Sequence, residues 1–362
     1  MEPFSKTKLF NHLDRLGAWA SGKTMPPVLV ELDLTNLCNH ACPGCTFSYL
    51  VNVSKDSIPF DLAKKLVREL AAFGVKALTF SGGGEPLVYG QDRVLELMRI
   101  AREVNLQTAL ITNGSLMTNL EYLDLCEWVR VSLDGYDADT FAEYHGRKIG
   151  EFSKVCGNTR AMCAESLKRK AAGDRCATVG VGFLTKPGAY KDIKPMTEFC
   201  KNEFPGLDYL QFRPLVINMV DDPSLTGGGW GPHLVDQLAM LEAAVEMSNS
   251  SSLPVLWAKD KYHALHEDGF GKTYDKCYAH FLEATVSADC KVYVCCHTQG
   301  QERFCLGDLT VASFSDVWES DRARKIIHSF DPRTTCPPAC RLHVYNSMLH
   351  EMTKPSTHSN YI

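Results

Sequence analysis

Between residues 28 and 215, short apolar runs alternate with longer stretches whose apolar positions recur every three or four residues. LVELDL (29–34), KALTF (76–80), QTALIT (107–112), WVRVSL (128–133), ATVGVGFL (177–184) and DYLQFRPL (208–215) predict strands. Residues 60–73, 91–104, about 117–126, 137–172 and 189–203 predict helices, the first with Asp61 in its first turn and Gly74 past its end. Strands alternating with helices imply a parallel sheet with right-handed crossovers. Six units are too few to close an eight-stranded barrel and suit an open (βα)6 partial TIM barrel of the α/β class. In such a fold the reacting groups sit on the loops that follow the strands.

The rhythm breaks after residue 215. TGGGWGP (226–232) reads as a loop and HLVDQLAMLEAAVEM (233–247) as a helix. From Cys277 the chain is dense in cysteine. LEATVSADCKVYVCC (282–296) alternates like a hairpin, and 313–330 predicts a helix. These changes divide the chain into a helical lead-in (1–27), the (βα)6 core (28–215), a bridging loop and helix (216–276), a small cysteine-rich extension (277–345) and a tail (346–362).

Charge and composition narrow the chemistry. The 362 residues carry a formal net charge of -5, which argues against nucleic acid or an anionic membrane as partner. No run reaches the roughly 18 apolar residues of a membrane span, and the N-terminus lacks a signal-peptide core. A cytoplasmic location is expected. Disulfides are rare there, so the closely spaced cysteines, among 15 in all, point to metal.

Cys38, Cys42 and Cys45, in NLCNHACPGCTF, follow the first predicted strand as C-x3-C-x2-C. A structural zinc site closes with four ligands; His40 offers a fourth, so counting leaves zinc open. A Cys42–Cys45 redox pair leaves Cys38 unexplained. A 4Fe–4S cubane held by three thiolates keeps one iron free for a small molecule. C-x3-C-x2-C at this point of a (βα)6 barrel resembles the radical S-adenosylmethionine (radical SAM) enzymes. SGGGEP (81–86), after the second strand, is similar to the GGE motif of that family. The resemblance implies that the open iron chelates SAM. Reductive cleavage then yields a 5′-deoxyadenosyl radical that abstracts a substrate hydrogen.

The resemblance also implies cofactor contacts for Gly82, Gly83, Gly84 and Glu85, with Glu85 accepting from the SAM ammonium. Asn113 (in ITNGS), Ser132 and Asp134 (in VSLDG) become candidates for ribose or methionine. Gln211 and Arg213 end the sixth strand, and Arg213 suits the SAM carboxylate or the substrate. Gly44 stands where the family often has a bulky residue, so adenine stacking would fall to Phe47 or Tyr49.

The segment from Cys277 resembles the SPASM/twitch extension of these enzymes, with Cys290 where its pattern has glycine. The full SPASM cysteine series is absent. The resemblance implies one auxiliary 4Fe–4S cluster on Cys277, Cys295, Cys336 and Cys340, with Cys290, Cys296 and Cys305 as alternates and a zinc knuckle as the plainer reading. Cys126, Cys156, Cys163, Cys176 and Cys200 read as small buried apolar residues, although one thiol could donate hydrogen to a substrate radical. No catalytic residue is assigned.

The expected reaction is oxidation of a carbohydrate-like small molecule, such as a sugar or aminocyclitol, served by a flavodoxin- or ferredoxin-type donor. The alternatives are modification of a ribosomal peptide, carbohydrate epimerisation or dehydration, and a non-enzymatic iron–sulfur or zinc scaffold.

Overall fold

The structure is a computed structural model. It describes residues 6–147, 149–186, 188–216, 238–250, 252–266, 272–337, 339–355 and 357. The loop expected over 226–232 and the start of the helix expected over 233–247 lie outside these; the described part of that helix is Leu238–Ser248.

The predicted strands form β1 (Leu29–Leu32), β2 (Ala77–Phe80), β3 (Gln107–Thr112), β4 (Trp128–Ser132), β5 (Thr178–Thr185) and β6 (Tyr209–Pro214). They are followed by β7 (Val255–Trp257), β8 (Glu283–Val286), β9 (Lys291–Tyr293) and β10 (Cys305–Asp308). All ten lie in one sheet in the order β10-β9-β8-β1-β2-β3-β4-β5-β6-β7. Strands β1 to β7 run parallel, giving the predicted open α/β barrel one further parallel strand beyond the six units. Strand β8 returns to pair in parallel with β1, Leu29 opposite Glu283. Strands β9 and β10 extend that edge antiparallel. The cysteine-rich extension is thus hydrogen-bonded to the barrel through its first strand.

Alternation along the strands explains both core and site. Val30, Leu32, Leu78, Phe80, Val129, Val131, Leu210 and Phe212 join the main apolar cluster with the helices. Successive side chains point to opposite faces, so Glu31, Thr79, Arg130 and Gln211 lie on the other face, inside the barrel. They are buried there as well. The helix Phe60–Phe73 applies Ala63, Leu66, Val67 and Leu70 to the core. Each fully buried Leu or Val contributes about 1.5–3 kcal/mol. Gly74, at φ 107°, ends that helix, its amide donating to the Leu70 and Ala71 carbonyls.

Two expected helices are each two. The stretch 137–172 divides into Ala138–His145 and Ile149–Ala172. Gly146 takes φ 59° there, and a side chain in its place would meet the Ala41 carbonyl at 2.3 Å. The stretch 313–330 divides into Phe314–Trp318 and Asp321–Ser329, because Ser320 caps the second helix through the Ala323 amide. Among the described residues no helix is long and apolar enough to cross a membrane.

Candidate active site and cysteine clusters

The cysteine loop leaves β1 at the C-terminal edge of the barrel and is held from three sides. The β2 loop lies against it: Gly84 N donates to Thr35 O at 2.9 Å, Glu85 N to Leu37 O at 2.9 Å, and Gly83 N to the Asp33 carboxylate at 3.1 Å. A Cβ on Gly84 would stand 2.2 Å from the Leu37 carbonyl oxygen, and one on Gly83 2.3 Å from Asn36 Oδ1. The glycines of SGGGEP therefore let two loops touch, and their amides at positions 83 and 84 are used within the protein. Gly84→Ala is expected to lower the thermal midpoint and to cut iron uptake, because backbone rather than a flexible side chain must yield. Circular dichroism melting and iron analysis of the reconstituted variant measure both.

The β3 loop holds the second side. Glu85 is buried and accepts from Leu87 N at 3.1 Å, Thr112 Oγ1 at 2.6 Å and Asn113 N at 2.7 Å. Burial raises its pKa against those three bonds. Asn113 Nδ2 donates to Asn39 Oδ1 at 2.8 Å, and Asn39 Nδ2 donates to Ser115 Oγ at 2.6 Å. Glu85 and Asn113 thereby carry the position of β3 to the residue after Cys38.

The helix Ala138–His145 holds the third side. Ala41 N donates to His145 O at 3.1 Å. His145 Nδ1 lies 3.0 Å from His40 Nδ1 and 3.6 Å from Cys42 Sγ, while its Nε2 lies 3.0 Å from Leu133 O and 3.7 Å from Asp134. His40, Cys42 and His145 bring one ligand atom each within 4.8 Å of the others. Burial keeps both imidazoles low, His40 at about 3. His145 carries no local sequence signal, since its partner lies 105 positions away.

Cys38, Cys42 and Cys45 lie near enough for their charges to interact, although the group whose ligand atoms lie within 4.8 Å of one another at this loop is His40, Cys42 and His145. Burial, and then the neighbouring thiols, push Cys42 well above the ordinary thiol value; burial first pushes Cys38 up, to about 11. Such thiols stay protonated and inert without a cation and become thiolates on binding one.

Across the barrel interior the charges segregate. On the β1/β8 side Arg341 bridges Glu31 and Glu283, Nε donating to Glu283 at 2.6 Å, and Ser81 Oγ donates to Glu31. Asp33 is fully buried, with one oxygen unpartnered; burial and then Glu31 raise its pKa well above the carboxylate range. On the opposite side stand Arg130, donating to Gln211 at 2.9 Å, and Arg213, whose buried Nε has no partner. Gly182 of β5 faces them, 3.1 Å from Arg213 at its missing Cβ, so the VGVG stretch makes room for guanidinium groups. Asp134, at φ 48°, accepts from Leu184 N, and Ser132 is half-buried at the end of β4. Tyr49 donates to Gln299 O at 3.0 Å, tying the cysteine loop to the extension.

Sequence reasoning missed Lys261, in the helix Lys259–His266 after β7. Burial, then Arg213 and Arg341, pull its ammonium down to about 8. A depressed lysine costs stability in full below pH 8, and the cost fades as pH rises toward the unfolded value of about 10.4. Lys261→Met is therefore expected to raise the thermal midpoint at pH 7, with the gain shrinking between pH 8 and 10. Melting curves across that range check the sign.

Cys277, Cys295, Cys336 and Cys340 line one small closed cavity with Tyr274, Thr298 and Asn346. Each is raised by burial, and the other thiols of the four push Cys277 and Cys295 up further. Cys336 reaches about 12. The alternates lie elsewhere. Cys290 and Cys305 are in the apolar core, and Cys290, at φ 63°, adopts the left-handed backbone for which glycine is suited. Cys296 faces Glu31 and Glu283. Cys126, Cys156, Cys163 and Cys200 are buried in the core, with Cys176 packed at its edge.

Sequence comparison decides the family. The profile of the radical SAM superfamily matches residues 32–184. The profile of the SPASM iron–sulfur cluster-binding domain matches residues 277–341.

The chain belongs to the radical SAM superfamily.

The cofactors of this radical SAM enzyme are S-adenosylmethionine and 4Fe–4S clusters. The donor sets fit them: Cys38, Cys42 and Cys45 lie near enough to raise one another's pKa, and four further thiols line one small cavity. An S-adenosylmethionine-dependent nucleotide dehydratase of Lacinutrix mariniflava is 34% identical over 30% of this chain and 24% of its own length. A PqqA peptide cyclase of Bradyrhizobium diazoefficiens is 33% identical over 34% of each chain. The matched stretches thus span well under half of these relatives. SuiB of Streptococcus suis, solved with S-adenosylmethionine, shares the fold at TM-score 0.64 and 16% identity, covering 97% of this chain and 81% of that one.

Proposed function

We propose that this enzyme oxidises its substrate by two electrons in all, and that the substrate is a peptide. The observation that carries the oxidation is the four-thiol cavity. Four thiolates complete the coordination of a cubane and leave no iron for a substrate to bind, so such a centre serves to move electrons. Bound together at the first site, SAM and its cluster supply a carbon radical able to take a hydrogen atom from an unactivated position.

The chain's own residues then have these roles. Cys38, Cys42 and Cys45 hold the first cluster. Gly82, Gly83, Gly84 and Glu85, with Asn113, set the loop beside it, and Glu85 Oε2, which accepts one bond, retains a lone pair for the SAM ammonium. Ser132 and Asp134 lie at the end of β4 for the ribose. Arg213 offers its unpartnered Nε to a carboxylate. Cys277, Cys295, Cys336 and Cys340 hold the auxiliary cluster.

A peptide is favoured over the carbohydrate expected from sequence because peptide cyclases recur among the relatives. An anionic small metabolite is the second reading, favoured by Lys261 and Arg213 near the barrel mouth with no carboxylate paired to Lys261 among the described residues.

The test is anaerobic incubation of the reconstituted enzyme with SAM and dithionite, followed by assay for 5′-deoxyadenosine and methionine. Formation of both is expected. With a substrate peptide present, a product lighter by two hydrogens supports oxidation; a product of unchanged mass contradicts it.

A further inference from the structure

Outside the barrel, a groove of about 490 Å³ runs between the N-terminal helix, the helix Asp321–Ser329 and the start of the cysteine-rich extension. Its floor is aromatic, with Trp19 and Phe281 stacked at 6.2 Å. Its charge is of one sign. Arg15, Lys23, Lys276 and Arg324 line it, together with two histidines, and among the described residues no aspartate or glutamate does. Arg324 is paired with Asp321 outside the groove, whereas Lys23 and Lys276 have no ion pair among the described residues. A basic groove on a chain of net charge -5 is a local exception to the field of the whole molecule.

The second observation concerns what lies behind the groove. Cys277 and His280 line it and also line the closed cavity where the four thiols meet. The wall between solvent and that cavity is therefore a single residue thick at this point. A thin wall is of no use for binding a substrate, which needs access to the barrel mouth. It is what electron exchange with an outside protein requires.

We propose that this groove is the docking site of an acidic one-electron carrier protein, bearing a flavin or an iron–sulfur group, that exchanges electrons with the four-cysteine centre past Cys277. The inference rests on the four-cysteine assignment made under the proposed function. Each encounter moves one electron: the reduced centre loses it and the oxidised carrier gains it, with no bond made or broken. Abstraction of the hydrogen atom takes up one electron of the substrate oxidation, and a single encounter clears the second, which the substrate radical leaves on the four-cysteine centre. Charge complementarity steers the acidic carrier to the groove while the negative remainder of the surface repels it. The aromatic floor supplies the apolar centre that a specific interface needs.

The test uses the full chain, reconstituted anaerobically, with an acidic flavodoxin as probe. Affinity is measured at low and high salt for the wild type, for Lys23→Glu, for Lys23→Glu/Lys276→Glu, and for Lys194→Glu on the far helix Ile193–Glu203. Binding should weaken with salt, fall about tenfold or more in the double variant and less in Lys23→Glu, and stay unchanged in Lys194→Glu. Stopped-flow reoxidation of the dithionite-reduced protein by oxidised flavodoxin should slow in the same order. Equal affinity and equal reoxidation in wild type and double variant overturn the proposal, as does salt-independent binding. Iron analysis run alongside separates the two readings. A chain that takes up only one cluster's iron overturns the four-cysteine assignment, and with it the electron path, even where charge-dependent binding persists.

Discussion

Cys42→Ala should abolish formation of 5′-deoxyadenosine while leaving the fold intact. Loss of a partner that merely orients a metal ligand costs 10–100-fold, so loss of the ligand itself should exceed about a hundredfold. Cys42 is the sharpest of the three to test because its sulfur is the best fixed, 3.6 Å from His145 Nδ1 in a wall closed by Phe141, which stacks on His145 at 4.3 Å. The loop lies outside the main apolar cluster, and Cys42 is absent from the core. Circular dichroism should therefore be unchanged while the nucleoside product disappears. Cys290→Ala is the matched control: its thiol is in the core, away from both clusters, and the variant should retain iron and activity.

Arg341→Met should be the most destabilising change outside the apolar core. Its guanidinium bridges Glu31 of β1 and Glu283 of β8, whose side chains are 7% and 3% exposed. Removing one partner of a buried ion pair costs about 3–5 kcal/mol, because the remaining charges stay buried without compensation. Two carboxylates stranded side by side add repulsion. The same pair joins the strands through which the cysteine-rich extension meets the barrel, so the loss should reach the four-thiol centre beside it at Cys340. The thermal midpoint is expected to fall by roughly 5–15 °C. The triple variant that also carries Glu31→Gln and Glu283→Gln should recover much of it, which distinguishes stranded charge from lost packing.

What the sequence made legible follows from physics that acts locally. The helix Phe60–Phe73 is readable end to end because one apolar stripe and one glycine stop define it. The β1 stretch LVELDL is readable as a strand, and its alternation, taken further, also places Glu31 and Asp33 on the face opposite Val30 and Leu32. Strand β7, three residues long, offers too few positions for alternation to register. The division at Gly146 comes from a backbone contact with Ala41, which no period reveals.

Among the candidate site residues, the cysteines stood out in the sequence because metal-ligand patterns come as short spacings. Four of them, spread over 64 positions from Cys277 to Cys340, meet in one cavity as the family pattern implied. His145, Lys261 and Arg341 were not legible. Arg341 meets Glu31 across 310 positions, and such pairs are chosen by the fold rather than by neighbours in the chain. The resemblance implied cofactor contacts for the glycines of SGGGEP; what approaches Gly84 in the structure is the Leu37 carbonyl of the cysteine loop.

The central claim is that Cys38, Cys42 and Cys45 hold a cubane with one iron left open for SAM. Electron paramagnetic resonance of the variant with Cys277, Cys295, Cys336 and Cys340 all changed to alanine tests it most directly, since only the first cluster can then contribute. The reduced variant is expected to contain about four irons per chain and to show a 4Fe–4S signal that shifts when SAM is added. Zinc in place of iron, or a cluster signal indifferent to SAM, would contradict it.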